Sequence, residues 1–81
     1  MKVAVLRSLI DEFSIEQLRT FEEQLLEGEE VSFEKVGGED EGEQLTHLSG
    51  AIWCLEQAEA NGTDPKKEVK NFISRVRNSI S

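Results

Sequence analysis

The side chains of this sequence that could do chemistry lie mostly in one stretch, "GGEDEGEQLTHLSGAIWCLE", residues 37–56. It contains the only histidine, the only tryptophan and the only cysteine of the chain. On a helix, Glu43, His47 and Cys54 follow one another at i, i+4 and i+11, so they share one edge. Carboxylate, imidazole and thiolate can all bind zinc, and a thiolate is also a nucleophile. The stretch therefore raises two chemical hypotheses, metal binding and thiol chemistry.

The helical spacing argues against a complete metal site. His47 and Cys54 are seven residues apart, which is about 10.5 Å along a helix and too far for both to bind one ion. Glu43 and His47 would form half a site, which a second subunit would have to complete. The alternative is a partly buried histidine hydrogen-bonded to Glu43. We therefore expect no metal and no cofactor.

Cys54 also has two interpretations. A lone cysteine beside an apolar stripe usually behaves as a small buried hydrophobe, and the neighbours Trp53 and Leu55 supply no positive charge that would lower its pKa. The alternative is a redox role. A single cysteine cannot form an internal disulfide, which is typical of a reducing compartment, so we expect a cytoplasmic protein.

Length and charge narrow the class of function. The chain has 81 residues, 17 of them acidic and 9 basic, for a net charge of −8. A chain of this size forms one domain, residues 1–81, with a thin core and no deep cleft, which favours a binding or accessory module over an enzyme. The acid excess repels phosphate, so we expect neither nucleic acid nor an anionic membrane surface as partner. The longest stretch without a charged residue, 44–55, is too short to span a membrane.

Apolar residues recur with the helical period in four segments, which predicts a small all-α domain with a central third helix. The predicted helices lie near residues 2–12, 14–28, 40–61 and 64–80. The first two form an αα-hairpin with almost no loop, because Ser14 and Gln17 have the spacing of a capping box directly after the first helix.

Residues 29–38 connect the second and third predicted helices. In this segment Val31 and Phe33 alternate with polar residues, and two glycines end the run. It is either an extended connector that lies across the helices or a strand that pairs with its own copy in a second subunit. We favour the connector.

The third helix has different residues on its two sides. Leu45, Leu48, Ile52 and Leu55 form the expected core face, extended by Ala51 and Ala58. Asp40, Glu41 and Glu43 fall in the first turn, where carboxylates interact favourably with the helix dipole.

Trp53 lies away from the leucine stripe, on a face with Thr46, Ser49, Gly50 and Gln57. Either the Val31/Phe33 connector covers this tryptophan or a partner does, and tryptophan is a preferred anchor of interfaces. The residues expected to contact a partner are Glu39, Asp40, Glu41, Glu43, His47, Gly50 and Trp53.

The run "GEDEGEQLTHLSGAIWCLE", with "EQLRTFEEQLLEGE" before it and "FISRVRNSIS" at the end, resembles a family of small acidic bacterial proteins known only as a domain of unknown function. The core "DEGEQLTH" is the most specific part of the match. The resemblance implies no catalytic residues. It does imply an accessory role beside thioredoxin and peroxiredoxin systems, with Cys54 or residues 40–47 as the contact site.

Together these observations predict a non-catalytic, cytoplasmic interaction or accessory module that binds a protein partner or itself as a homodimer. The alternative is a small thiol-redox or metal-assisted accessory protein that uses Cys54 or the Glu43/His47 pair.

Overall fold

The computed structural model describes residues 3–31, 36–37 and 40–80. Over these residues the chain forms four helices, α1 Val3–Glu12, α2 Ile15–Leu26, α3 Glu41–Asn61 and α4 Pro65–Ile80. The predicted all-α class is confirmed, and each helix boundary lies within two residues of its predicted position. α3 is the longest helix and packs against the other three, and α1 also packs against α4. The third helix is therefore central, as predicted.

The α1–α2 corner is fixed by local hydrogen bonds. The Ser14 hydroxyl accepts a hydrogen bond from the Gln17 backbone N–H at 3.3 Å, and the Gln17 side chain accepts one from the Ser14 N–H at 2.9 Å. This is the predicted capping box, and it satisfies two N–H groups that have no partner inside the helix. Across the corner, the rings of Phe13 and Phe21 pack edge to face with centroids 5.1 Å apart. The short hairpin is thus closed by both polar and aromatic contacts.

An aspartate and a glycine determine where α3 begins and ends. The Asp40 carboxylate accepts a hydrogen bond from the Glu43 N–H at 2.7 Å and so caps the first turn. At the other end Gly62 adopts φ 66°, a left-handed conformation that glycine tolerates best, and its N–H donates to the Ala58 carbonyl. Of the acids predicted at the start of α3, Asp40 is therefore the N-cap.

The core surrounds α3 on more than one side. Of the predicted leucine stripe, Leu48 and Ile52 are buried, whereas Leu45 and Leu55 are only half-buried. Other buried positions of the same helix lie outside that stripe: Gln44, His47, Gly50 and Cys54. The reason is that α3 packs against α1 and α4 as well as against α2, and Leu6 of α1 and Phe72 of α4 both lie beside Gly50. Of the helices formed by the described residues, none combines the length and the apolarity needed to cross a membrane.

Candidate functional site on the third helix

The first turns of α3 fasten the connector to the domain. Gln44 Nε2 donates to the Val31 carbonyl at 3.4 Å, and His47 Nδ1 lies 3.2 Å from the Gly37 carbonyl oxygen. Because a carbonyl oxygen can only accept, this contact requires the proton on Nδ1. Both side chains are buried, and His47 is completely inaccessible to solvent. The Gln and His of the "DEGEQLTH" motif thus act as a clamp on two points of the connector.

His47 Nδ1 lies against the backbone of Gly37, and the hydrogen bond between His47 and Glu43 stays a prediction. The path of the connector is the physical cause of the contact with Gly37. Gly37 adopts φ 74°, and a Cβ atom added there would lie 2.8 Å from Val5 Cγ1. The connector backbone therefore passes close to α1, with its carbonyl within reach of the imidazole. Over the described residues, no three His, Cys, Asp or Glu side chains lie where they could hold a metal ion.

Cys54 is a buried thiol at the contact between α3 and α4. Its side chain is inaccessible to solvent. Burial, and secondarily the negative charge of Glu68, raise the pKa of Cys54 from 9.0 to about 11. Glu68 is itself buried and accepts hydrogen bonds from the Thr63 hydroxyl at 2.8 Å and from the Asn71 amide at 3.2 Å. At neutral pH Cys54 is therefore protonated, which is the form that neither attacks nor binds metal.

The last helix of the same chain covers part of the Trp53 face. The rings of Trp53 and Phe72 lie 5.7 Å apart, and Arg75 Cζ lies 5.4 Å from the centroid of the tryptophan. A Cβ atom added at Gly50 would lie 2.8 Å from Phe72 Cε2 and 3.0 Å from Leu6 Cδ2. Gly50 thus permits a close approach of α4 within the chain.

The sequence-based prediction assigned the cover of Trp53 to the connector or to a partner, and α4 is a third source of cover that it did not include. Val31 is buried elsewhere, against Gln44, and Phe33 lies outside the described residues. The acids predicted to contact a partner differ in exposure. Asp40 and Glu41 are exposed and Glu43 is half-buried, while Glu39 lies outside the described residues.

One face of α3 stays open between α2 and α4. We call it the open strip, and its residues recur at helical spacing: Gly42, Thr46, Ser49, Trp53 and Ala60. All are exposed except Trp53, which is half-buried. On the α2 side the Ser49 hydroxyl donates to Glu22 at 3.0 Å. On the α4 side Arg75 borders the strip by lying over Trp53.

The sequence indicated the middle of the open strip through the face that Trp53 shares with Thr46 and Ser49. It did not indicate the two edges. Glu22 and Arg75 become neighbours of the strip only through the way in which α2 and α4 pack on α3, and no spacing within one helix encodes that. Helical periodicity in α2 and α4 could at most have marked both residues as lying outside the main apolar stripe.

Two shallow grooves lie on the surface of the domain. The larger, about 440 Å³, runs between α2 and the end of α3 and is lined by Ile15, Glu16, Arg19, Glu56, Glu59 and Ala60. Within it Arg19 and Glu56 form an exposed ion pair at 3.3 Å. The smaller groove, about 240 Å³, lies between α1 and the connector. Neither His47 nor Cys54 lines these grooves, so the chemically capable residues have no access to a ligand through them.

These features define a small all-α domain. Its most reactive side chains, His47 and Cys54, are buried, and one side of the central helix is exposed. The chain belongs to DUF6952, a family of unknown function, whose sequence model matches residues 1–81. The predicted membership of a family of unknown function is thereby confirmed. The same comparisons found no match among curated proteins and none among solved structures.

Proposed function

We propose that this protein is a non-catalytic interaction module and that it associates with itself through the open strip. The observation that carries the proposal is the continuous exposed face of the central helix, with a half-buried tryptophan at its centre. Tryptophan is among the residues that contribute most to binding when a partner buries them. Small side chains at Gly42, Ser49 and Ala60 would allow a second backbone to approach closely.

The thin core of a single small domain supports self-association. A chain of 81 residues buries a limited fraction of its apolar surface, so additional burial between two copies contributes usefully to stability. Two-fold homodimers are also the commonest soluble oligomers. From residue 42 to residue 60 the strip extends about 27 Å, which is long enough for a helix to pack along it.

The positions of His47 and Cys54 favour this function over thiol or metal chemistry. His47 is inaccessible and contacts the connector, and Cys54 is inaccessible with a pKa of about 11. Both side chains thus have a role in packing that explains their presence without a reaction. A lone thiol of this kind suits a reducing compartment, so we propose a cytoplasmic location.

Sedimentation equilibrium over a wide concentration range tests the proposal. We expect the average mass to rise from 9.1 kDa toward twice that value. Thr46→Arg, which places a long charged side chain in the strip, should shift the equilibrium to monomer. Thr20→Arg is the matched control, because Thr20 and Thr46 are both exposed and both donate to the carbonyl four residues earlier. A mass of 9.1 kDa at every concentration would contradict self-association.

A further inference from the structure

The two helices that border the open strip carry opposite charge. α2 contains three glutamates and one arginine, whereas α4 contains five basic residues and one glutamate. The arginine of α2, Arg19, is already paired with Glu56. Not all of these charges face the strip, since Lys66 is paired with Asp11 of α1. The contacts with α3 place Glu22 on the α2 border and Arg75 on the α4 border. The strip therefore has an acid on one border and a base on the other, although the whole chain has a charge of −8.

The contacts with α3 show where the charged side chain of each border lies along the axis of the strip. Glu22 lies at the level of Ser49, to which it is hydrogen-bonded, and Arg75 lies at the level of Trp53. Ser49 and Trp53 are four residues apart, which is about 6 Å along the helix axis. An acid and a base thus lie on opposite borders, about one helical turn apart along the strip.

A two-fold dimer can bring two such faces together in two limiting ways. If the axis runs parallel to α3, each α2 faces the α4 of the other copy. If the axis lies across α3, each α2 faces the other α2, and the glutamates of the two acidic borders meet. Opposite charges attract and like charges repel across such short distances, so the charge pattern favours the first arrangement.

We propose that a second copy of this chain occupies the open strip about a two-fold axis parallel to α3, so that Glu22 of each copy faces Arg75 of the other. This inference rests on the proposed self-association and specifies its geometry. The two α3 helices then run parallel, and every residue of the strip stands opposite its own mate. The acid-to-base contacts at both borders offset the repulsion between two chains of charge −8.

The area required for a stable dimer explains why the borders must take part. A stable interface buries about 600 Å² on each copy at the lower limit. A strip about 27 Å long and one helix, about 10 Å, wide supplies less than half of that area. The remainder has to come from the facing sides of α2 and α4, and their charges then determine which orientation forms.

Cross-linking distinguishes the two orientations. In a Cys54→Ala background, Thr46→Cys and Ala60→Cys each place one exposed thiol on the strip, about 21 Å apart along α3. With a short bis-maleimide reagent, the parallel dimer should give covalent dimers from each variant alone. Covalent dimers that form from only one variant, or only when the two variants are mixed, would overturn the proposed axis while leaving self-association intact. A monomer in sedimentation would overturn self-association itself.

Charge reversal tests the Glu22–Arg75 pair. Glu22→Arg and Arg75→Glu should each weaken the dimer about tenfold, since each change replaces two attractive contacts by repulsive ones, and the double variant should recover most of the loss. Lys70→Glu is the matched control: it makes the same charge change as Arg75→Glu at an exposed position of α4 that the helical repeat turns away from the strip. Equal weakening by both variants, or no recovery in the double variant, would overturn the proposed contact.

Discussion

The two sides of α3 differ in the chemical reactivity of their side chains and in the exposure of those side chains to solvent. The side toward α1, α4 and the connector holds His47 and Cys54, the residues with the greatest chemical capability, and both are inaccessible to solvent. The open strip holds Thr46 and Ser49, which have little chemistry of their own but face solvent. The reactive residue types of α3 therefore mark its buried contacts, those of His47 with the connector and of Cys54 with α4. The surface that can bind a partner is marked by exposure instead.

The helical repeat is the physical origin of this contrast. Successive residues of a helix point about 100° apart, so Thr46 and His47, or Trp53 and Cys54, face different surroundings although they are adjacent in sequence. A cluster of reactive types in the sequence is therefore divided among several faces once the helix forms. Residues from the two sides of α3 should therefore respond differently to the same measurement.

The reactivity of Cys54 should differ most from that of a thiol on the open strip. With a pKa of about 11 instead of 9.0, the thiolate fraction of Cys54 at neutral pH is about 100-fold lower, and its burial slows reaction further. We expect an aromatic disulfide reagent to label Thr46→Cys in the Cys54→Ala background at least about 100-fold faster than native Cys54. Similar labelling rates would mean that the α3–α4 contact opens readily.

The same thiol should make stability fall in alkaline solution. The folded pKa of Cys54 is raised above its ordinary value, so its contribution to stability is intact below about pH 9 and is lost as the pH rises toward about 11. The loss is about 2–3 kcal/mol when complete. Urea unfolding of the native chain and of Cys54→Ala, from about pH 8 to about pH 11, should show the native advantage shrinking. A constant difference between the two chains would contradict the raised pKa.

His47 and its neighbour Thr46 provide a matched pair for the clamp. His47→Leu keeps much of the side-chain volume but leaves the Gly37 carbonyl without the imidazole, which should lower the free energy of unfolding by about 2 kcal/mol. Thr46→Ala, at an exposed position, should change it by about 0.5 kcal/mol or less. Thermal unfolding measures both changes, and equal effects would show that the clamp adds nothing to stability.

The sequence predicted the helices well because their signals are local. The capping box of Ser14 and Gln17, the Asp40 cap and the Gly62 stop each act within a few residues of one another. The apolar period of each segment then gives its inner face. Local signals of this kind are sufficient for the fold class and for the limits of the elements.

The partners of α3 depend on contacts between distant segments, and the sequence did not reveal them. The contact of His47 with Gly37 requires the connector to pass over α1, and the approach of Phe72 to Gly50 requires α4 to pack beside Trp53. The spacing of residues within one helix encodes neither contact. For the same reason the spacing of Thr46, Ser49 and Trp53 indicated a common face but could not show which helices border it.

Gly50 supplies the smallest effect and the clearest test of how α4 covers its side of α3. In an open helix, glycine to alanine stabilises by up to about 1 kcal/mol. At Gly50 the new Cβ would lie 2.8 Å from Phe72 Cε2, and the resulting overpacking, about 1–3 kcal/mol, should outweigh that gain. We therefore expect Gly50→Ala to destabilise by about 1 kcal/mol in urea unfolding.

Phe72→Leu should reverse the sign of that change. The shorter side chain withdraws the two Phe72 ring atoms that a Cβ at residue 50 would meet and leaves the contact with Leu6 Cδ2 at 3.0 Å. In this background the helix-forming tendency of alanine should prevail, with a coupling energy of about 1 kcal/mol or more. Gly42→Ala is the control on the same helix, since among the described residues its Cβ would meet only Asp40 Oδ1, at 3.4 Å. If Gly50→Ala behaved like Gly42→Ala in the native background, Phe72 would not fill the space beside Gly50. The open strip would then extend over that side of α3 as well, and Gly50 would return to the set of residues available to a partner.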